Sequence, residues 1–463
     1  MSIKNLYKNL NDEMGSISKR RKNNNISFNK STFDSHAMDA LNTSFENYED
    51  ISLEGFESYI NESASRTVIE RNSLVPLKDY DAVHSLRNAF GKPPRDNEPR
   101  IGTHPEFKHL ELDNRTDTGY VVTMFMDIIG STKLGLSYSP SDVFLFKNNI
   151  ITGAIETINA FDGHVHRIMG DAVMAFFRSR QNEQHDTLEN SVIDAINCAA
   201  YFIEVMNEIV KPQIKEVADE NIGIRIGIDL GETNYVLWGN YGIPGVNEVT
   251  ATSFFVDIAS KLQHKAPKNS IMLGQNLVEK LGLTVNDYLT YKLKDGQPDR
   301  YIIDFTSKNQ SRLRYKQYLL NQSKYFSILP HGLKPSRIKV VISYSNDELG
   351  VVNRKDYFNC SSVIPKSKWV KFHATFCEEY GEHYESLKFK FRVVNNGLDA
   401  SKKDNYDNHE TEIIKKAYEK ENGVFTAIHK EQTSYKGLQH MYISVISNDT
   451  VIEREIPCSI FIK

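Results

Sequence analysis

Residues 121–132 read Val121-Val122-Thr123-Met124-Phe125-Met126-Asp127-Ile128-Ile129-Gly130-Ser131-Thr132. The apolar run Val121–Met126, bounded by turn residues, has the pattern of a buried strand that delivers a carboxylate at its end. About forty residues later comes Met169-Gly170-Asp171-Ala172-Val173-Met174-Ala175-Phe176. It puts a second carboxylate in the tight turn of a hairpin spanning Val165–Phe177. Between the two, Val143, Phe144, Ile150, Ile151, Ala154, Ile155 and Ile158 recur at helical spacing behind Ser139-Pro140-Ser141-Asp142, a helix start. Val192, Ile193, Ile196, Ala199, Ala200, Ile203, Met206 and Val210 mark a second helix. A strand at Ile222–Ile228 follows, then a Gly- and Asn-containing segment through Gly245, a helix near Thr252–His264 and a strand at Ile271–Leu273. The order β-α-β-β-α-β-α-β predicts an α+β domain with helices on one face of a mostly antiparallel sheet.

Outward from this centre the pattern changes twice. Residues 1–115 are rich in Asn, Ser and charge, with the basic run Lys19-Arg20-Arg21-Lys22 and the proline-rich stretch Gly91–Pro99. They read as a polar, partly disordered extension ending in a linker. The α+β domain is bounded at 116–310. Beyond Leu320 helical periodicity stops, and Leu387-Lys388-Phe389-Lys390-Phe391-Arg392-Val393 alternates with period two, as do Met441–Ile446 and Ile456–Ile462. A β-sandwich over 320–463, interrupted by one helical insert near Glu410–Glu419, is the expectation.

The 463 residues carry 56 Lys and Arg against 60 Asp and Glu, a net charge of −4, so no broad basic surface supports nucleic-acid binding. No apolar run approaches the length of a membrane helix, and the opening MSIKNLYKNLNDEMG lacks an apolar signal core. A cytoplasmic protein without nucleic-acid or membrane partners is expected. The four cysteines, Cys198, Cys360, Cys377 and Cys458, lack C-x-x-C spacing and read as ordinary thiols.

The chemistry lies in the two acidic segments. Two carboxylates converging on one sheet edge suit two Mg²⁺ or Mn²⁺ ions, hard cations that take oxygen ligands and bridge phosphates. Gly130 allows close backbone approach, and the N–H groups of Ile128, Ile129, Gly130 and Ser131, at the start of a helix, can meet a polyphosphate. Strand, carboxylate, glycine loop and helix together describe a nucleoside-triphosphate site. Taken singly, Asp127 is also a plain helix cap and Asp171 a plain turn residue.

These motifs resemble the class III adenylate and guanylate cyclases, with their F-x-D-x-x-G-[FS]-T loop and G-D-x-x-x-A-x-F hairpin; Val256-Asp257-Ile258-Ala259-Ser260-Lys261-Leu262 matches the family's V-N-x-A-S-R-M helix. The resemblance implies a ferredoxin-like (βαββαβ) catalytic core. It also implies a homodimer with sites at its interface, each combining the metal aspartates of one protomer with the Asp257–Lys261 helix of the other. Two divalent cations would sit on Asp127, Asp171 and Ile128, with Thr132 joining the phosphate loop. The implied reaction is attack of a ribose 3′-oxygen on the α-phosphate, releasing pyrophosphate.

The departures concern the base. Arg167 and Thr250 stand where the family carries Lys or Glu and Asp or Cys. Arg167 offers only donors in a planar fork, which suits the adjacent O2 and N3 acceptors of cytosine. Family Asn and Arg become Asp257 and Lys261, an i,i+4 pair that also reads as a simple salt bridge. Together with Trp238-Gly239-Asn240-Tyr241-Gly242 and C-terminal segments such as Phe391–Ala400 and Thr433–His440, these features resemble the pyrimidine cyclases of bacterial Pycsar antiphage systems, with their adenylyl/guanylyl cyclase and SMODS C-terminal sensor domain. That resemblance implies a pyrimidine nucleoside triphosphate as substrate, CTP favoured over UTP, and a separate effector that reads the cyclic product. A guanylate cyclase, with Arg167 on guanine O6 and N7, and a catalytically inactive nucleotide-binding scaffold remain the alternatives.

Overall fold

The computed structural model describes residues 2–23, 82–94, 100–112, 115–134, 140–178, 188–214, 222–243, 246–285, 287–306, 312–378, 384, 386–403, 409–421 and 423–463. Contacts divide the chain into one unit of Met1–Ser18 with Tyr80–Lys463 and a second, Lys19–Asp79, described only over the end of the helix Lys8–Asn23. The basic run lies on that helix end, and its side chains fall outside the described residues.

The catalytic region runs β1 (Val121–Ile129), α1 (Pro140–Ala160), β2 (Gly163–Met169), β3 (Ala172–Phe177), α2 (Leu188–Val205), β4 (Gly223–Gly231), β5 (Leu237–Ile243), β6 (Val246–Thr252), α3 (Phe254–Lys265), β7 (Ser270–Gly274), α4 (Gln275–Leu281), β8 (Tyr301–Thr306) and β9 (Arg312–Leu320). Its main sheet has the order β8-β9-β7-β4-β1-β3-β2, with Leu289–Thr290 paired beside β9. All neighbours are antiparallel except β4 and β7. Pro140 stands at the first position of α1, where its missing N–H costs nothing.

Helices cover both faces of this sheet, which corrects the expectation of one. Val122, Met124, Met126, Ile128, Ile224, Ile226 and Ile228 turn to α1 and α2. On the opposite face α3 lies directly on β4, because Gly227 has no side chain: a Cβ there would meet Gln263 N at 2.2 Å and Ala259 O at 2.3 Å. The segment left without structure before Gly245 is the hairpin β5–β6, whose Trp238 stacks on Phe107 with ring centroids 4.0 Å apart and donates Nε1–H to Gly119 O.

The polar extension also needs correction. Ile3, Leu6, Tyr7, Leu10 and Met14, followed by Ala82, Leu86 and Phe90, are buried in the same core as α1 and α2. Tyr7 Oη and Thr157 Oγ1 lie 2.7 Å apart, and Lys92 bridges Asp162 and Asp194 at 2.8 and 2.9 Å. Apolar residues at helical spacing were hidden in a polar average; residues 95–99 of the expected linker lie outside the described residues.

The C-terminal region contributes β10 (Ile338–Ser345), β11 (Trp369–Cys377), β12 (Leu387–Asn395), β13 (His409–Lys416), β14 (Val424–Gln432), β15 (Gly437–Ser447) and β16 (Thr450–Ile462). They form two five-stranded sheets, one built on β10-β11-β14 and one on β16-β15-β12-β13, whose inner faces share Phe372, Phe376, Phe389, Phe391, Met441 and Ile443. The expected helical insert is strand β13 instead. Its pairing with β12 and the ion pairs Lys390–Glu412 and Arg392–Glu410 override the local helix propensity. Among the described residues the cysteines are free thiols and no helix is long and apolar enough to cross a membrane.

Candidate active site

Two strand ends and a turn build the acidic centre. In the ladder Asp127 of β1 stands opposite Ala172 on one side and Arg225 on the other. Asp171 occupies the turn between β2 and β3, where Gly170 takes φ 66°, a left-handed conformation open to glycine. The N–H of Ile128 donates to Asp171 O at 3.3 Å, tying the strand end to the turn.

Each carboxylate uses one oxygen within the fold. Asp127 Oδ2 accepts from Arg225 Nη2 at 2.5 Å and from Gln263 Nε2 at 3.2 Å. Asp171 Oδ2 accepts from Ser131 Oγ and, at 3.4 Å, from Lys147 Nζ. Neither Oδ1 has a hydrogen bond to a described residue, and both groups are partly exposed. No third His, Cys, Asp or Glu among the described residues joins them in a metal-holding cluster. Two carboxylates on neighbouring elements, each with an oxygen that no described residue bonds, fit divalent cations that complete their coordination from phosphates, as Mg²⁺ does. Arg225 and Lys147 supply positive charge at this spot in the protein itself.

The phosphate loop differs from the sequence reading in one respect. Gly130 takes φ 79°, so a positive-φ turn does occur there. The helix behind it, Ser131–Leu134, is a single turn, so little macrodipole is available, and the Ile128 N–H is already committed to Asp171. Ile129 ends β1 and Gly130 makes the turn after it, Ser131 is bonded to Asp171, and the Thr132 side chain lies outside the described residues.

Arg167 and Thr250 belong to a second cluster. A register shift between Val165 and Arg167 bulges β2 and sends two consecutive side chains toward β6. There Arg167 holds both carboxylate oxygens of Glu248 through Nε and Nη2, and His166 Nε2 lies 3.1 Å from Glu248 Oε1. Burial, with the Arg167 charge adding, lowers the His166 pKa to about 4, so the imidazole is neutral and donates Nδ1–H to Gly102 O. Thr250 lies two residues beyond Glu248 on the same strand and is buried. The sequence reading missed Glu248, because the signal that finds it is the pairing of β5 with β6 together with a bulge.

Asp257 and Lys261 occupy the exposed side of α3, whose start is capped by Ser253 Oγ accepting from Phe255 N. No hydrogen bond or ion pair joins them to each other or to either aspartate among the described residues, so the i,i+4 salt bridge, the alternative reading of the pair, is not formed. The helix reaches its own acidic centre through Gln263 instead.

Comparisons with known proteins bear on both regions. Residues 114–304 match the adenylate and guanylate cyclase catalytic domain, and residues 315–463 match the adenylyl/guanylyl and SMODS C-terminal sensor domain. A cytidylate cyclase of Staphylococcus aureus is 35% identical over 350 residues, 72% of this chain and 77% of that protein. A cytidylate cyclase of Escherichia coli is 32% identical over 406 residues, 83% of this chain and 88% of that one. The crystal structure of the adenylyl cyclase CyaB from P. aeruginosa aligns over 44% of this chain and 95% of its own length, at 19% identity and a TM-score of 0.36.

Proposed function

The chain belongs to the nucleotide cyclases that join an adenylate and guanylate cyclase catalytic domain to a C-terminal sensor domain, and on that premise we propose that it is a divalent-metal-dependent pyrimidine cyclase converting CTP to its 3′,5′-cyclic nucleotide. The observation that carries the substrate is the Arg167–Glu248 pair. A fork of donors beside a carboxylate acceptor complements cytosine, which sets the N4 amino donor next to the N3 and O2 acceptors. Uracil would turn O4, an acceptor, against the carboxylate, and adenine lacks the second acceptor. Such a mismatch costs about 1–3 kcal/mol, or roughly five- to 150-fold in selection. The two cytidylate cyclase relatives support the same substrate.

In the reaction the ribose 3′-hydroxyl gives up its proton to solvent water, its oxygen bonds to the α-phosphorus, and the bond to pyrophosphate breaks. Asp127, Asp171 and the Ile128 carbonyl would hold Mg²⁺ or Mn²⁺, which when bound neutralises the triphosphate and favours ionisation of the attacking hydroxyl. Ser131 and Lys147 hold Asp171, while Gln263 and Arg225 hold Asp127, so the ligands are oriented before substrate arrives. The exposed Asp257 and Lys261 suit a homodimer in which each α3 serves the other protomer's aspartates, Lys261 lending positive charge to the phosphates. The strand order β4-β1-β3-β2 supports a ferredoxin-like core, and the two facing C-terminal sheets support a sandwich. By resemblance to the antiphage pyrimidine cyclases, the product is a second messenger read by a separate effector.

Purified protein is incubated with each nucleoside triphosphate and Mn²⁺, and products are identified by mass. Dominant cyclic CMP is expected; dominant cyclic AMP or GMP refutes the pyrimidine assignment. In Glu248→Gln the CTP:UTP ratio should fall about tenfold, through KM rather than kcat. An unchanged ratio removes Glu248 from base selection.

A further inference from the structure

Between the two C-terminal sheets lies a cavity of about 530 Å³, within the size range of small-molecule sites. We propose that it binds a small, uncharged, largely apolar molecule, and that the strand pair β15–β16 transmits its occupancy to the catalytic region.

The walls define the ligand. Val370 and Phe372 line the cavity from one sheet, and Val393, Met441, Ile460 and Ile462 from the other. Of the polar side chains around it, Gln439 and Thr433 are engaged elsewhere. Gln439 Oε1 accepts from Asn396 N at 2.6 Å, and its Nε2 donates to Asn396 O and Tyr435 O. Thr433 Oγ1 donates to Pro365 O and accepts from Lys368 N. Among the described residues no Lys or Arg lines the space, and the acid Glu431 is bonded by His429 Nε2 at 2.8 Å. A phosphate or carboxylate ligand would therefore enter without a counter-charge, a costly burial. An apolar molecule meets Val370, Phe372, Val393, Met441, Ile460 and Ile462.

The route to the catalytic region is one strand thick. Three consecutive residues of β15, Gln439, His440 and Met441, border the cavity, while Leu438 beside them packs into the core shared with the catalytic region. His440 Nε2 lies 2.9 Å from Tyr288 Oη, and its Nδ1 lies 2.8 Å from Ser459 Oγ on β16. Leu438 and Phe461 share a hydrophobic core with Tyr288, Tyr325 and residues of α2, the helix that backs β1. A ligand that displaces β15 or β16 moves strands that are also walls of the catalytic core. Packed interiors pass such a displacement on instead of absorbing it.

The test uses the full chain. The neutral fluorophore N-phenyl-1-naphthylamine is titrated into the wild type and into Val393→Trp, which fills the cavity from a half-buried position. Saturable binding by the wild type, weakened about tenfold or more in the variant, is expected. If Val393→Trp melts early, Ile413→Trp at the edge of the cavity takes its place. Failure of the wild type to saturate, equal affinity in the filled variant, or equal affinity for the anionic 8-anilinonaphthalene-1-sulfonate overturns the site. For transmission, cyclase rate is followed with and without saturating probe. A change of at least about twofold in the wild type, lost in Tyr288→Phe while probe binding persists, is expected; an unchanged wild-type rate, or full transmission in Tyr288→Phe, overturns the route. The rate readout rests on the cyclase reading and the fluorescence does not, so the two failures are distinguishable.

Discussion

Replacing Gly227 with alanine tests how the fold places its site. The added Cβ would lie 2.2 Å from Gln263 N and 2.3 Å from Ala259 O, backbone atoms of α3 that cannot rotate aside. Ordinary contact begins near 3.4 Å, so α3 must lift from β4 by about 1.2 Å. Overpacking of this kind costs about 1–3 kcal/mol, which for a single cooperative unit spanning both regions lowers Tm by roughly 1–4 °C. The same lift breaks the 3.2 Å bond from Gln263 to Asp127 and moves the Asp257–Lys261 face. A shift of about an ångström in a positioning element lowers kcat/KM by roughly 100-fold. Circular-dichroism melting and cyclase turnover read the two effects. The control is Gly153→Ala in α1, whose Cβ would face side chains, Leu10 Cδ2 at 3.2 Å and Phe202 Cε2 at 3.6 Å, and which should behave as wild type. Gly227→Ala with unchanged Tm and turnover would mean that α3 does not rest on β4 as described.

Asp127→Asn and Asp171→Asn should each reduce cyclase activity at least about 100-fold with little change in melting temperature, since each removes a ligand from a partly exposed strand end; activity near the parent would exclude the two-carboxylate metal site. An Asp127 variant mixed with a Lys261 variant should regain part of the activity, because one composite site of the heterodimer carries neither lesion; no recovery despite demonstrated subunit exchange argues for sites confined to one chain. Asp229 is fully buried, accepting from Leu230 N and Tyr315 Oη, and burial raises its pKa to about 7. The fold keeps a proton that the unfolded chain releases above about pH 4, so this contribution is complete in acid and declines as pH rises toward 7. Its slope reaches at most about 1.4 kcal/mol per pH unit, and denaturant melts from pH 5 to 8 should show that slope flattened in Asp229→Asn.

The parts of the molecule legible in the sequence were those whose signal is local. Asp127 and Asp171 stand in short motifs, and the strand, helix and hairpin around them follow from runs of Ile, Val and Met broken at Gly130 and Gly170. Glu248 was illegible because its role depends on a bulge in β2 and on pairing between β5 and β6, neither of which leaves a local pattern. The face taken by α3 turns on the missing side chain of Gly227, one glycine among many. In β13 the local preference for helix was clear, and the neighbouring strand outweighed it. Ile3, Leu6 and Leu10 were misread because the average composition around them is polar, although their spacing is helical.

The joint between the two regions decides how the protein can be divided. Asn197 of α2 donates its amide N–H to Cys360 O and accepts from Tyr325 Oη, while Val363 N donates to Asn190 Oδ1. A fragment ending at residue 310 would lose β9 from its sheet, expose the face of α2 that Tyr325, Cys360 and Val363 cover, and leave a buried amide without partners. The catalytic and sensor regions should therefore melt as one cooperative unit, with a single calorimetric transition expected, and a fragment cut near residue 310 should fail to fold on its own.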